Sequence, residues 1–171
     1  MTAVGLFMYY DIQNFSSGRI IAVIKGDEGL RYIGFQQGKH PLSISENWKK
    51  NSKMLKNTFD QLHAYFAGKL FEFDLPVAPL GTSFQKSVWN ALMDIPYGHT
   101  VSYGDIAAAI GKPKACRAVG GANGKNPIPI VIPCHRVIGA DGRLTGYGSG
   151  LKIKAELLSL EKRYKDNRVQ V

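Results

Sequence analysis

One cysteine in this sequence has the neighbours that a reactive nucleophile requires. Cys134 follows an apolar run and Pro133 in the segment IVIPCHRVIG, and His135 comes directly after it. A thiol becomes a strong nucleophile only as a thiolate, which a nearby base or positive field can provide. Adjacent residues on an extended chain point to opposite sides, so this pair needs a turn or a bridging water to share a proton. The competing interpretation is a core cysteine, since buried cysteines are common.

An acidic residue near the end of the chain favours the chemical interpretation. Four apolar residues recur there at helical spacing, namely Ile153, Leu157, Leu160 and Tyr164. Glu161 falls on or beside the inward stripe that this spacing predicts. A carboxylate on a buried face requires a partner, because an unpaired buried charge is costly. A histidine that is oriented by an acid and activates a thiol has the logic of a nucleophilic triad, which the spacing suggests but does not establish.

The other cysteine and the histidines indicate neither a disulfide framework nor a metal site. The chain has two cysteines, Cys116 and Cys134, without a CxxC spacing. The four histidines also lack the spacing of metal ligands. We therefore expect no metal and no cofactor, and we expect Cys116 to point into the core.

The charge of the chain is concentrated in its second half. The formal net charge is +9, of which residues 1–80 carry +2 and residues 81–171 carry +7. A basic half is typical of a protein that binds a polyanion such as nucleic acid, although charge alone leaves a merely soluble basic protein equally open. The first residues lack a basic stretch and include an acid at position 11, unlike a signal peptide, and no apolar run could span a bilayer. We expect an intracellular protein, cytoplasmic or, in a eukaryote, nuclear.

The first third of the chain predicts a sheet followed by a helix. The β-rich runs are 6–12, 19–25 and 30–35, separated by turn-forming residues at 14–18 and 26–29. The apolar residues of the next segment, Leu55, Phe59, Leu62 and Phe66, recur at helical spacing. This pattern predicts an amphipathic helix over roughly residues 50–67.

A segment with two prolines and a glycine, DLPVAPLG at 74–81, predicts a domain boundary. We therefore divide the chain into a small N-terminal α/β domain, residues 1–78, and a mostly helical C-terminal domain, residues 79–171. The predicted fold class is α+β.

The C-terminal part predicts a helix-turn-helix. An apolar pattern over 84–95 indicates a first helix, which ends before the proline and glycine that follow. Ser102 is the predicted N-cap of a helix that runs to about residue 110, and Asp105 completes a variant of the capping box. A glycine and a proline then interrupt the chain before a short helix over 114–123. Two short helices joined by a tight turn form this motif.

The second of these helices is nearly devoid of large side chains. Its small residues are Ala115, Ala118, Gly120, Gly121 and Ala122, and they surround one long cation, Arg117. A glycine costs a helix about 1 kcal/mol relative to alanine, so another factor must favour them. A helix that approaches another surface closely would do so. That surface is either a neighbouring helix or a nucleic-acid groove into which Arg117 projects.

The run from Gly81 to Glu161 resembles the catalytic domain of the O6-alkylguanine-DNA alkyltransferases, also called methylated-DNA–protein-cysteine methyltransferases. The matching segments are FQKSVWNAL and IPYG within 84–98, SYGDIA at 102–107, KACRAVGGANGKNP at 114–127, IPCHRVIG at 132–139 and TGYGSGL at 145–151. The N-terminal third resembles the family's ribonuclease-H-like α/β domain in plan only. Some members bind zinc there through cysteines, and this chain has none before Cys116.

The resemblance implies a catalytic role for five residues. Cys134 would accept the alkyl group, His135 would take its proton through a water, and Glu161 would hold and polarise the imidazole. Asn126 would tie the helix-turn-helix to the active-site turn. Tyr103 would lie near the extruded guanine and its 3′ phosphate and donate a proton to the leaving base.

The resemblance also implies contacts to the substrate base. The backbone carbonyls of Val137 and Cys134 would bind the guanine amino group, and backbone N–H groups around Tyr147 and Gly148 would reach O6. Members with serine at the Gly148 position would keep such a backbone contact.

For the DNA itself, the resemblance implies binding in the minor groove, with Arg117 filling the gap left by the extruded base. The residues expected to contact DNA are Arg117, Ala118, Gly120, Gly121, Ser102, Lys114 and Lys125. The minor groove is only about 6 Å wide, so a helix with small side chains enters it where a bulky one would clash. The code there is degenerate, so little sequence preference is expected.

The implied function is direct DNA repair in a single, irreversible turnover. An alkyl group would move from O6 of guanine, and from O4 of thymine, in double-stranded DNA to Cys134. The protein would be a monomer in solution and would not associate with a membrane; cooperative assembly on DNA is a further alternative. Two rivals predict different behaviour of the thiol. A non-catalytic DNA-damage-binding or regulatory protein would ignore it, and a thiol hydrolase would release the group again. A subclass of the family with tryptophan in place of the nucleophile is excluded by Cys134.

Overall fold

The computed structural model describes residues 7–25 and 28–165. The first residue of the predicted run 6–12 and two residues of the predicted turn at 26–29 lie outside this part of the chain. The described residues form an α+β fold with a sheet in the first half and helices in the second, as predicted. Within these two ranges, the structure contains no helix with the length and apolar character of a membrane span.

The N-terminal sheet has four strands in the order β3-β2-β1-β4. Their bounds are Met8–Phe15 for β1, Gly18–Lys25 for β2, Gly29–Phe35 for β3 and Lys49–Lys50 for β4. The first three strands are antiparallel neighbours, and β4 pairs parallel with β1. The three predicted strands are confirmed, but β1 continues to Phe15, which pairs with Gly18 across a turn tighter than predicted. Gly18 has a φ of 116°, which a residue without Cβ adopts readily.

The first helix, α1, spans Lys56–Phe66 and is shorter than the predicted 50–67. The Asn51 side chain accepts a hydrogen bond from the backbone N–H of Met54 at 3.2 Å, and this local turn competes with the helix before it begins. The predicted apolar face is buried with one exception. Tyr65, rather than Phe66, is its last fully buried residue, with 0% exposure.

Four helices and a short parallel sheet form the second half. The helices are α2 at Ser83–Met93, α3 at Tyr103–Ala109, α4 at Cys116–Gly124 and α5 at Leu151–Tyr164. The strands β5, Val101–Ser102, and β6, Val137–Ile138, pair parallel to each other. α2, α3 and α4 pack together, and α3 and α4 are the predicted helix pair. The predicted segment 74–81 lies along β3, where the N–H of Ala78 donates to the carbonyl of Leu30 at 2.8 Å.

The predicted N-cap of α3 is confirmed. Ser102 Oγ accepts from the N–H of Asp105 at 3.1 Å, and Asp105 Oδ2 accepts from the N–H of Ser102 at 2.7 Å. The Ser102 hydroxyl also donates to Asp105 Oδ2 at 2.8 Å. This capping box uses both hydrogen-bond donors of Ser102. The predicted contact of Ser102 with DNA stays a prediction.

The buried face of α5 differs from the predicted apolar stripe. Ile153 and Leu157 are buried, whereas Leu160 and Tyr164 are only partly buried. The remaining buried positions hold two charged residues, Lys154 and Glu161, each with 0% exposure. The sequence predicted Glu161 on or beside this face but not Lys154, because the partners that permit a buried charge come from other elements. The buried apolar residues of both halves form one continuous core.

Candidate active site

The cysteine and histidine lie on one tight turn. Residues Cys134–Arg136 form a single turn of 3₁₀-helix directly before β6, so the first of the two predicted alternatives, a turn, is present. Cys134 is 3% exposed and His135 is 0% exposed. The site therefore excludes bulk water in the free protein.

The loop before this turn is strained and clamped. Ile130 has a φ of 77°, in a region that β-branched residues rarely enter, at a typical cost of about 1–3 kcal/mol. The side chain of Asn126 holds both ends of the loop: Nδ2 donates to the carbonyl of Ile132 at 2.8 Å, and Oδ1 accepts from the N–H of Ile128 at 3.0 Å. Asn126 follows α4 almost directly, so it joins the helix-turn-helix to the segment that leads into Cys134.

His135 is held by Glu161 as a neutral base. Its Nε2 lies 2.7 Å from Glu161 Oε1, so the hydrogen on Nε2 faces the carboxylate. Its Nδ1 is buried and has no hydrogen-bond partner among the described residues, and in this tautomer Nδ1 carries the free lone pair. Burial lowers the pKa of His135 below its ordinary value, against the opposing effect of Glu161. The imidazole is therefore uncharged at neutral pH and able to accept a proton.

The carboxylate of Glu161 is surrounded by donors. Oε1 accepts from Tyr65 Oη at 2.8 Å, and Oε2 accepts from the N–H of Gly98 at 3.0 Å. Arg136 donates Nη2 to Oε1 and Nε to Oε2, each at 2.9 Å. Burial by itself would raise the pKa of Glu161, but the hydrogen bonds from His135 and Arg136 and the positive charge of Arg136 hold it well below the usual range. Glu161 thus stays ionised although its exposure is 0%.

Two charged residues in this site were not among the predicted site residues. Arg136 pairs with Glu161, and its Nη1 donates to the carbonyl of Ile95 at 2.6 Å. Lys154 Nζ donates to the carbonyls of Val137 and Thr145, each at 2.6 Å. Adjacency to the Cys-His pair was a signal for Arg136, since it lies within the PCHR segment; helical spacing from Glu161 was the only signal for Lys154.

The cysteine rests as a thiol. Burial raises the pKa of Cys134 to about 11, and hydrogen bonding by Asn126 and the charge of Lys154 offset this only in part. Burial also lowers the pKa of Lys154 to about 8, so its positive charge at Cys134 is present at neutral pH but weakly held. A reaction at this thiol requires a base for its proton, and the neutral imidazole of His135 lies next to it on the same turn.

The predicted substrate-contacting residues surround the same turn. The carbonyls of Cys134 and Val137 each accept from a side chain, Asn123 Nδ2 at 3.3 Å and Lys154 Nζ at 2.6 Å respectively. A carbonyl oxygen has two lone pairs, so the predicted contact to a guanine amino group keeps an acceptor site. Tyr147 is 7% exposed, and burial followed by the neighbouring Cys134 raises its pKa well above the ordinary value.

Tyr103 contacts the loop that carries Tyr147, and Gly148 belongs to that loop. The Tyr103 hydroxyl donates to the carbonyl of Thr145 at 3.0 Å, which ties α3 to the loop that carries Tyr147. A Cβ added to Gly148 would lie 3.1 Å from the carbonyl oxygen of Gly124, so the loop approaches the end of α4 closely. Serine at this position requires a small shift of the loop.

The outward face of α4 is smooth and basic at its ends. Arg117, Ala118 and Gly121 are exposed, as are Lys114 before the helix and Lys125 after it. A Cβ added to Gly121 would meet nothing within 4 Å, so packing inside the protein does not require glycine there. The sequence left two candidate surfaces for close approach, a neighbouring helix and a nucleic-acid groove. The exposure of this face favours a surface outside the protein.

Gly120 and Cys116 also belong to α4. A Cβ on Gly120 would lie 3.8 Å from the Tyr103 ring, an ordinary contact. The prediction that Cys116 points into the core is wrong, because the residue is exposed. It is the first residue of α4, and its Sγ faces back to the carbonyl of Pro113 at 3.7 Å.

No three His, Cys, Asp or Glu side chains within 7–25 and 28–165 are grouped to hold a metal ion.

Two family models match the chain in sequence order. Residues 8–79 match the ribonuclease-like domain of 6-O-methylguanine DNA methyltransferase, and residues 83–163 match its DNA binding domain. A methylated-DNA–protein-cysteine methyltransferase of Methanosarcina acetivorans is 56% identical over 155 residues, which cover 90% of this chain and 98% of the relative. Its counterpart in Mycobacterium tuberculosis H37Rv is 58% identical over 116 residues, which cover 68% of this chain and 70% of the relative.

Solved structures share the fold. Mycobacterium tuberculosis OGT in complex with DNA has a TM-score of 0.84 and 46% identity, covering 91% of this chain and 94% of that one. The O6-methylguanine-DNA methyltransferase of Pyrococcus kodakaraensis KOD1 has a TM-score of 0.62 and 26% identity, covering 91% and 99%. Fold and site define a DNA-repair protein that transfers a methyl group to a cysteine. The chain belongs to the methylated-DNA–protein-cysteine methyltransferase family, as the resemblance implied.

Proposed function

We propose that the protein, acting as a monomer, removes an alkyl group from O6 of guanine, and from O4 of thymine, in double-stranded DNA and keeps it on Cys134. The observation that carries this proposal is the arrangement of His135, with Nε2 bound to Glu161 at 2.7 Å and Nδ1 buried beside the thiol turn. A base with that tautomer accepts a proton on the side away from the acid. We also propose that the chain consists of two domains, residues 1–78 and residues 79–171.

The proposed reaction is a displacement at the alkyl carbon. His135 Nδ1 takes the proton of the Cys134 thiol through a water as Sγ forms its bond to carbon. The bond between that carbon and O6 breaks, and its electron pair stays on the guanine, to which the Tyr103 hydroxyl donates a proton. The Tyr103 oxygen then regains a proton from water, and the imidazolium of His135 releases one to water, so the base has in balance gained the proton that the thiol lost. The negative Glu161 stabilises the imidazolium that forms. The products are guanine and a thioether, whose carbon–sulfur bond is stable, so the alkyl group stays on Cys134. The other cysteine, Cys116, lies on a different element, at the exposed start of α4.

The outward face of α4 supports a minor-groove interface with an extruded base. Ala118 and Gly121 leave this face flat, and the exposed guanidinium of Arg117 stands beside them where it can replace a base in the stack. The M. tuberculosis OGT was solved in complex with DNA, which supports DNA as the partner here. Exposed cations at Lys114 and Lys125 would contact phosphates, so affinity should fall steeply with salt and vary little with sequence. A flat salt response in a titration would argue against this interface.

Intact-mass measurement after incubation with free O6-methylguanine tests the chemistry. We expect each molecule to gain one methyl group and to keep it, with Cys116→Ser as a matched control that still gains it and Cys134→Ala as a variant that does not. A regulatory DNA-binding protein would gain no mass. A thiol hydrolase would gain mass and lose it with time. Either result would overturn the proposal.

A further inference from the structure

The acid of the active site receives a hydrogen bond from the opposite half of the molecule. Tyr65 lies on α1, within the residues that match the ribonuclease-like domain, and its hydroxyl donates to Glu161 Oε1 at 2.8 Å. We infer that Tyr65 is a positioning residue for alkyl transfer, because its hydrogen bond to Glu161 sets how strongly Glu161 binds His135. The strength of the Glu161–His135 hydrogen bond then depends on the packing of the N-terminal domain, which carries Tyr65. This inference rests on the proposed function and deepens it.

The geometry makes Tyr65 a direct competitor of His135. Oε1 of Glu161 accepts from Tyr65 at 2.8 Å, from His135 Nε2 at 2.7 Å and from Arg136 Nη2 at 2.9 Å. Arg136 Nε also donates to this oxygen at 3.2 Å, so its negative charge is shared among donors from three residues. Each donor that is removed leaves more charge for the others, because hydrogen bonds to an ionised acceptor draw on the same lone pairs.

The hydroxyl of Tyr65 is held in place by packing and stays protonated at neutral pH. The side chain is 0% exposed, and its ring packs edge-on against Tyr97 at 6.0 Å between centroids and lies 5.4 Å from Phe73. Burial, and then the charge of Glu161, raises the pKa of Tyr65 well above the ordinary value. Tyr65 is therefore a permanent donor, oriented by the core that α1 shares with the second half.

The chain offers a matched control in the ring against which Tyr65 packs. Tyr97 is 2% exposed, and its hydroxyl is buried with no hydrogen-bond partner in the described part of the chain. Tyr97→Phe removes the same atom from the same apolar cluster without breaking a bond to Glu161. A merely structural contribution of a buried tyrosine hydroxyl would respond alike in both variants.

Removing the Tyr65 hydroxyl should raise the pKa of His135. The charged and titratable groups that face this imidazole are Glu161 and Lys154 on α5 and Cys134 and Arg136 on its own turn. In Tyr65→Phe these groups remain, and Oε1 holds more charge for Nε2. The imidazolium is then stabilised, so less of the neutral base is present in mildly acidic solution.

The experiment uses full-length wild type, Tyr65→Phe and Tyr97→Phe. The pKa of His135 is followed by NMR of the imidazole, which is tractable because the chain has four histidines. The rate of mass gain from free O6-methylguanine is measured across the same pH range. For Tyr65→Phe we expect the His135 pKa and the acid limb of the rate profile to rise together by about half a unit, a loss of about threefold on that limb. Tyr97→Phe should match the wild type.

The outcomes separate the two proposals. If Tyr65→Phe titrates and reacts like the wild type at every pH, or if both variants shift equally, Tyr65 has no positioning role. If the wild type gains no mass, the proposed function fails, and the His135 titration still decides the role of Tyr65. Should Tyr65→Phe fail to fold, 3-fluorotyrosine at position 65 keeps the bond and strengthens the donor. The His135 pKa should then fall, and an unchanged value would overturn the inference.

Discussion

Replacing Glu161 by glutamine tests the buried network on which the candidate site depends. The carboxylate, at 0% exposure, accepts from Tyr65, Gly98 and His135 and three times from Arg136. A glutamine amide has one acceptor oxygen, and its NH₂ group must face donors in either orientation. Arg136, which is 6% exposed, is left as a buried cation without a negative partner.

The expected loss is large relative to the stability of a small protein. Breaking a buried ion pair by removing one partner costs about 3–5 kcal/mol. Native proteins are stable by only about 5–15 kcal/mol, so Glu161→Gln should remove a sizeable part of that margin. With an m value of about 2 kcal/mol per molar urea, the unfolding midpoint should fall by about 2 M.

Urea unfolding of four proteins provides the measurement. They are the wild type, Glu161→Gln, Arg136→Met and the double variant. Because the double variant no longer contains a lone charge, it should lose less stability than the two single losses added together. If Glu161→Gln costs less than about 1 kcal/mol, or if the two single losses add, the carboxylate and the guanidinium are not coupled as the distances indicate.

The same network predicts a direction for the pH dependence. The folded-state pKa of Glu161 lies below its unfolded value, so its contribution to stability is present above about pH 4.3 and lost as the pH falls below it. The pKa of His135 is also lowered, so the unfolded chain binds a proton below about pH 6.5 that the folded chain does not. Wild-type stability should therefore decline on acidification from about pH 6.5, and its advantage over Glu161→Gln should shrink below about pH 4.3.

Three further predictions concern the reaction. Cys134→Ala should abolish transfer and keep its DNA affinity, because the side chain of Cys134 is buried, with 3% exposure, and is not available to contact phosphates; residual transfer in a single-turnover assay would contradict Cys134 as the acceptor. Arg117→Ala should slow repair of duplex DNA far more than reaction with the free base, since only the duplex requires extrusion; equal losses in both assays would make Arg117 structural. The alkylated protein should melt at a lower temperature and exchange amide hydrogens faster between Tyr103 and Asn126, because overfilling a packed site typically costs about 1–3 kcal/mol. An adduct with unchanged melting and protection would show that the site accepts the group without strain.

Features encoded by neighbouring residues could be predicted from the sequence. The capping box of Ser102 needs only Asp105, three residues further on. The adjacency of Cys134 and His135 marks them as a candidate pair, although it leaves a turn and a bridging water as alternatives. The small residues around Arg117 also predict a close approach to another surface without knowledge of the fold. Such short-range patterns predict the α3–α4 pair and the proposed nucleophile, and they carry the family resemblance.

Features that depend on distant parts of the chain were decided only by the tertiary structure. Tyr65 and Glu161 are 96 residues apart in sequence and 2.8 Å apart in the fold, and the spacing of α1 predicted Phe66 rather than Tyr65 as its buried aromatic. Lys154 can be buried, with 0% exposure, because carbonyls of two other segments accept hydrogen bonds from its ammonium group. The exposure of Cys116 depends on which side of α4 faces solvent. A charge is buried only where its partners are already in place, and those partners are assembled by packing rather than by sequence proximity.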